Sequence, residues 1–136
     1  MVATSFWLLV VVFTALLVGT EAAYAVVPVE RLAGPTRFET AIAVSKTSYP
    51  GAADAVVLAT GRNWPDALGG AALAGAVDGP VLLCEYERIP SAVLAEITRL
   101  DPATVYVLGG TGAIADSALV GLASSVPSAT VTDRRS

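Results

Sequence analysis

The stretch from Ala55 to Cys84, AVVLATGRNWPDALGGAALAGAVDGPVLLC, leaves the chain little choice of fold. It opens on one continuous apolar run, Val56 to Thr60, and closes on another, Val81 to Cys84. Short apolar runs without polar alternation read as strands covered on both faces, the habit of parallel sheets. Between them Gly61, Arg62 and Asn63 make a turn, and Pro65-Asp66 opens a helix. Proline suits a first helical turn, where its missing N–H is not needed, and the aspartate meets the positive end of the helix dipole. Two parallel strands need such a crossover.

That helix is unusual. Residues 67–77 contain no polar side chain, and glycine stands at 69, 70 and 75. Each glycine inside a helix costs roughly 1 kcal/mol relative to alanine, so three imply a compensating reason. A helix without a polar face is expected to be buried on both sides, yet the segment is far short of the roughly 20 residues that span a bilayer. Close packing against another copy or another domain is the expectation; the alternative is an Ala/Gly-rich helix tolerated in a small protein.

The rest of the chain repeats the pattern. Strand starts fall near Val56, Val81, Val105 and Thr130, at intervals of about 25 residues that suit strand–helix alternation. The spacing predicts a helix from about Pro90 to Leu100, with Val93, Leu94, Ile97 and Leu100 inward and Glu96 and Arg99 outward, ended by Asp101-Pro102. Another runs from about Ala113 to Ser125, with Ala115, Ala118, Leu119 and Leu122 on one stripe. Ahead of the first strand, Thr36 followed by Glu39 is a capping box for a helix to Ser48, where Pro50-Gly51 stops it. The expected fold class is therefore α/β, a Rossmann-like doubly wound parallel sheet of about four strands.

The N-terminus reads differently. Phe6 to Val18 has the length of a secretory h-region, and Ala23-Tyr24-Ala25 is an A-x-A cleavage site, although Lys and Arg are missing ahead of it. We take residues 1–25 as a signal peptide and residues 26–136 as one α/β domain, with an uncleaved anchor as the alternative and the membrane touched only through that segment. Cleavage removes Glu21 and no basic residue, leaving a mildly acidic domain without a basic run, a poor match for nucleic acid. The chain has no His and a single Cys, Cys84. The common transition-metal sites and the Ser-His or Cys-His pairs of nucleophilic catalysis therefore lack their ligands and bases. Cys84 reads as a small core residue, with an intermolecular disulfide as the alternative.

Two loops lie at carboxyl ends of strands, where open α/β sheets bind ligands. The first is Gly61-Arg62-Asn63-Trp64-Pro65-Asp66. Its aspartate competes with a bound phosphate, but Arg62, Asn63 and Trp64 offer a sugar-binding lip. The second, Gly109 to Ala115, contains G-x-G-x-x-A between a strand and a helix, with Asp133 placed like a ribose-binding acid. A small nucleotide- or dinucleotide-binding domain using residues 109–115 is thus the alternative function. A Gly-rich tight turn is the structural reading.

Three blocks carry a resemblance to a known family. They are Arg31-Leu32-Ala33-Gly34-Pro35-Thr36-Arg37-Phe38-Glu39-Thr40-Ala41; Val57-Leu58-Ala59-Thr60-Gly61 with Asn63-Trp64-Pro65-Asp66-Ala67-Leu68; and Val105-Tyr106-Val107-Leu108-Gly109-Gly110 with Ala113-Ile114. In order and spacing they resemble one repeat of the cell wall-binding repeat 2 family, across about residues 29–132. The resemblance implies a non-catalytic module of Gram-positive surface proteins, typically one of three in tandem. Such modules pack as a three-fold ring and hold an effector domain on anionic wall polymer. The family's Ile-Leu-Leu run, associated with wall attachment, corresponds to Val81-Leu82-Leu83, which the apolar pattern alone makes core strand residues. One repeat stands here without an effector, so either a fragment of a longer product or an association of single repeats is expected.

The expected function is an exported cell-wall-binding module that recognises an anionic wall glycopolymer and needs no cofactor. Arg31, Arg37 and Arg62 are candidate contacts because guanidinium forks pair with phosphates. Asn63, Trp64, Val81, Leu82 and Leu83 complete the candidate set. Weak sites linked in a homo-oligomer or a set of further repeats gain affinity through effective concentration.

Overall fold

A computed structural model describes residues 28–62 and 64–133. The expected signal peptide, residues 1–25, lies outside the described residues. The chain divides into two compact units, Met1–Glu30 and Arg31–Ser136, and the second carries every helix and strand described. These are α1 (Arg37–Ser48), β1 (Ala55–Thr60), α2 (Trp64–Val77), β2 (Val81–Cys84), α3 (Ser91–Leu100), β3 (Thr104–Val107), α4 (Asp116–Ser125) and β4 (Thr130–Thr132). All strand pairs are parallel, in the order β2-β1-β3-β4. The expected doubly wound α/β sheet is present. No helix among the described residues is long and apolar enough to cross a membrane.

The strand order explains how the helices are distributed. The chain steps outward from β1 to β2, reverses past β1 to β3, and continues to β4. Right-handed crossovers then put α2 on one face and α3 and α4 on the other. Val56, Leu58, Leu82 and Val105 form the main core with Phe38 and Ile42 of α1, Val93 and Ile97 of α3, and Leu122 of α4. The opposite face receives α2. There a Cβ added at Gly70 would meet Leu108 Cδ1 at 2.7 Å and Val57 Cγ1 at 3.3 Å, so glycine lets the helix lie close on the sheet.

The outward face of α2 is bare. Leu68 is 66% exposed, and at Gly69 and Gly75 an added Cβ would meet nothing within 4 Å. The sequence expectation of burial on both sides is met on one side only.

α1 begins at its expected cap. Thr36 Oγ1 accepts the Phe38 N–H at 3.1 Å and donates to the Glu39 carboxylate, which holds that carboxyl below the usual range. Gly34 donates its N–H to Thr40 Oγ1 (3.1 Å), folding the lead-in back over the helix start.

Two expectations are corrected. Glu96 does not face outward; it is 2% exposed, accepting from Ser45 Oγ at 2.7 Å and from Arg99 at 2.7 and 2.9 Å. α1 crosses α3 at this point, and Ser45 supplies a donor from 51 residues away in sequence. Arg99 spans outward to the carbonyls of Tyr49, Pro50 and Gly51, closing off the end of α1. Burial alone would raise the Glu96 carboxyl, but the bonds from Arg99 and Ser45 outweigh it and hold it below the ordinary value. The second correction concerns α4, which starts at Asp116 rather than near Ala113. The intervening residues form a turn closed by Ala113 and Ile114 N–H groups on the Gly110 carbonyl.

Cys84 is fully buried at the end of β2. Burial first, and the neighbouring Glu85 charge second, push its thiol up to about 12. An enclosed, protonated thiol is a core residue with poor access to a disulfide partner.

Candidate functional site

The carboxyl ends of β1 and β2 converge with the start of α1. Gly61, just past β1, donates its N–H to the Cys84 carbonyl at 2.8 Å and so holds the loop after β1 against the loop after β2. Arg62 follows, its N–H on the Thr60 hydroxyl at 3.2 Å. From α1, Arg37 lies across Gly61 so closely that a Cβ there would meet its Nε at 2.8 Å. The Arg37 guanidinium sits 4.8 Å from the Phe38 ring centroid, within cation–π range.

Beyond β2, the chain turns tightly, with the Glu85 N–H on the Arg88 carbonyl at 3.0 Å. Arg88 Nε donates to Glu85 Oε2 at 2.6 Å, an exposed ion pair. The Glu85 carboxyl is held below the usual carboxylate range, first by that bond and also by the charges of Arg88, Arg62 and Arg37. Of the described residues, Arg88 alone is bonded to the Glu85 carboxylate. Among the described residues neither Arg37 nor Arg62 makes an ion pair within 4.0 Å.

A groove of about 400 Å3 straddles the free edge of β2, with α1 on one wall and α2 on the other. Ala41, Ser45 and Ser48 line it from α1, one or more turns below Arg37 on the same side of the helix. Val81 and Leu83 form its floor, and Ala71 and Ala74 its far wall. At the lower end Tyr49 Oη donates to Asp78 at 3.3 Å. Small side chains keep the groove open, and Arg37 stands near its upper end.

The sequence-derived candidates thus separate. Arg37 and Arg62 come together. Arg31 is exposed in the lead-in, and no described contact brings it to them. Val81 and Leu83 are half-buried on the groove floor, whereas Leu82 is fully buried in the main core. Trp64 begins α2, and Asn63 lies outside the described residues. Glu85 and Arg88 were not among the candidates; their signal, a charged pair three apart just past a strand end, is weak without the register that places it beside Arg62.

The glycine loop after β3 is less suited to a phosphate. The N–H groups of Ala113 and Ile114 are spent on Gly110 O (2.8 and 3.2 Å), and that of Ala115 on Tyr86 O (2.8 Å). Phosphate cradles need such donors free at a helix start. The Asp66 carboxylate also faces Gly109, at 3.1 Å from where its Cβ would be, and so sets negative charge in the crevice. Gly109 itself has φ +95°, a left-handed turn that glycine adopts freely. The nucleotide alternative is not favoured.

Comparison with known proteins shows the family and the fold. Residues 31–119 match the family described as cell wall binding domain 2. A curated relative, the N-acetylmuramoyl-L-alanine amidase LytC of Bacillus subtilis (strain 168), is 28% identical over 89 residues, covering 65% of this chain and 18% of LytC. Among solved structures, Cwp6 from Clostridium difficile is 32% identical with a TM-score of 0.71, covering 84% of this chain and 19% of Cwp6. Cwp8 from the same organism is 31% identical with a TM-score of 0.70, covering 78% of this chain and 19% of Cwp8. The chain spans about a fifth of the length of the proteins it matches.

Proposed function

Since the chain belongs to the cell wall binding domain 2 family, we propose that it is an exported, non-catalytic module that attaches to an anionic wall glycopolymer of a Gram-positive bacterium. The observation that carries this reading is that Arg37 lies over Gly61, next to Arg62 at the end of β1, with neither arginine in an ion pair among the described residues. Planar guanidinium groups bind phosphate and carboxylate in a two-pronged way that a lysine cannot copy. The groove along β2 gives the uncharged sugar portion of a polymer somewhere to lie, with Val81 and Leu83 as its floor. Leu82 serves binding by holding β2 in place.

The exposed apolar face of α2 supports the second half of the reading, a three-module or trimeric assembly built from further repeats or further copies. Attachment then comes from several weak sites acting together. Catalysis, where a protein of this family performs it, belongs to another domain.

The test is sedimentation of the purified protein with wall sacculi. The protein is expected to pellet with intact sacculi and to stay in solution once the anionic polymers are stripped. Equal pelleting before and after stripping would remove the polymer from the account.

A further inference from the structure

We propose that Glu85 is a tethered competitor for the anionic ligand, so that this end of the module favours a polymer of linked charges over isolated anions. The inference rests on the wall-polymer reading above and adds a selectivity element to it. Its basis is geometric. The Gly61 to Cys84 hydrogen bond fixes the Arg62 loop beside the Glu85 turn, and Arg37 lies over the same glycine. Glu85 is itself held in a tight turn and bonded to Arg88 at 2.6 Å. Its charge is therefore bonded to Arg88 and stands in a turn joined to the loop that carries Arg62 and that Arg37 overlies, before any ligand arrives.

A ligand anion must either share that field or displace the carboxylate. Displacement frees Arg88 as a third contact, a role that no candidate set drawn from the sequence assigned to it. A single phosphate meets a carboxylate of high local concentration, because the latter is part of the same chain. A polyanion has the same advantage on its own side, since its neighbouring charges remain bound while one exchanges.

The test compares the full chain with Glu85→Gln, using intact wall sacculi and, separately, inorganic phosphate. Removing one exposed opposing charge is expected to tighten sacculus binding by about two- to fivefold. Phosphate affinity should rise on Glu85→Gln by a larger factor than sacculus affinity does. Adding Arg88→Ala to Glu85→Gln should remove part of the gain. As a control, Glu87→Gln takes the same charge from an exposed neighbour and is expected to change nothing. Unchanged or weaker binding by Glu85→Gln overturns the proposal, as does an equal gain from Glu87→Gln. The two readings fail separately: if Arg37→Ala and Arg62→Ala leave sacculus binding intact, the wall-polymer site itself is wrong, whatever Glu85 does.

Discussion

The two faces of the sheet are built to different standards. One is closed by α1, α3 and α4, with Leu58, Leu82, Val93, Ile97 and Leu122 fully buried between the layers. Among the described residues the other is covered by α2 alone, a helix that turns Leu68, Gly69 and Gly75 to the outside. Beside α2 a second hollow of about 290 Å3 remains over Tyr106, Leu108 and Thr132. The first face is a finished domain core. The second is apolar where a lone domain would place charge, and that contrast is the physical basis for expecting a neighbour there.

Paired substitutions sharpen the contrast. Leu58→Ala opens a cavity in the closed face and is expected to cost about 2–5 kcal/mol. Leu68→Ala on the open face should stay within about 0.5 kcal/mol for the lone module. Urea unfolding at low protein concentration reads both. Similar losses from the two would mean that α2 is packed more fully than its exposure indicates.

Next in size is the lock between α1 and α3. Glu96→Gln keeps the shape but removes the charge that Arg99 faces, with an expected loss of about 1–3 kcal/mol, given that Arg99 is partly in water. The sign of its pH dependence follows from the lowered Glu96 carboxyl. A carboxylate with a depressed folded-state pKa contributes stability above its unfolded value, near 4.3, and loses it as pH falls through the folded value. Urea midpoints taken from neutral to acid pH should decline for the parent chain and flatten for Glu96→Gln. A parallel decline in both would separate the acid limb from this residue.

Effects of similar or smaller size come from the glycines of α2. Gly70→Val drives a side chain into Leu108 and Val57, and about 1–3 kcal/mol of destabilisation is expected. Gly75→Ala meets open space and should stabilise the isolated helix by roughly 0.5–1 kcal/mol. If Gly75 is kept for close approach of a neighbour, the same change weakens self-association measured by sedimentation. Stabilisation with no change in association would leave the glycine without that purpose.

Much of the fold was legible in the sequence because β1 is buried on both faces and so appears as an unbroken apolar run, and β2, buried on one face and half-buried on the other, reads the same way. The Thr36 cap was legible because it is local, whereas the fold-back of Gly34 onto Thr40 was not. What was hidden depends on distant partners. Glu96 looked solvent-facing because its reason for burial, Ser45, lies on another helix. Arg37 and Arg62 could be named as candidates but not joined, and Glu85 and Arg88 could not be named, since only the register of β1 against β2 sets those loops together. The late start of α4 was also hidden, because the glycine loop spends its N–H groups on its own turn and on the Tyr86 carbonyl.

The central claim is that the strand-end arginines bind the wall, and charge reversal at both tests it most directly. Arg37→Glu/Arg62→Glu replaces two exposed cations with anions, so a folded protein is expected, checked by its urea midpoint. The expected result is a fall in affinity for intact sacculi of tenfold or more, the equivalent of about 1.4 kcal/mol. Undiminished binding by the folded double variant would contradict the account.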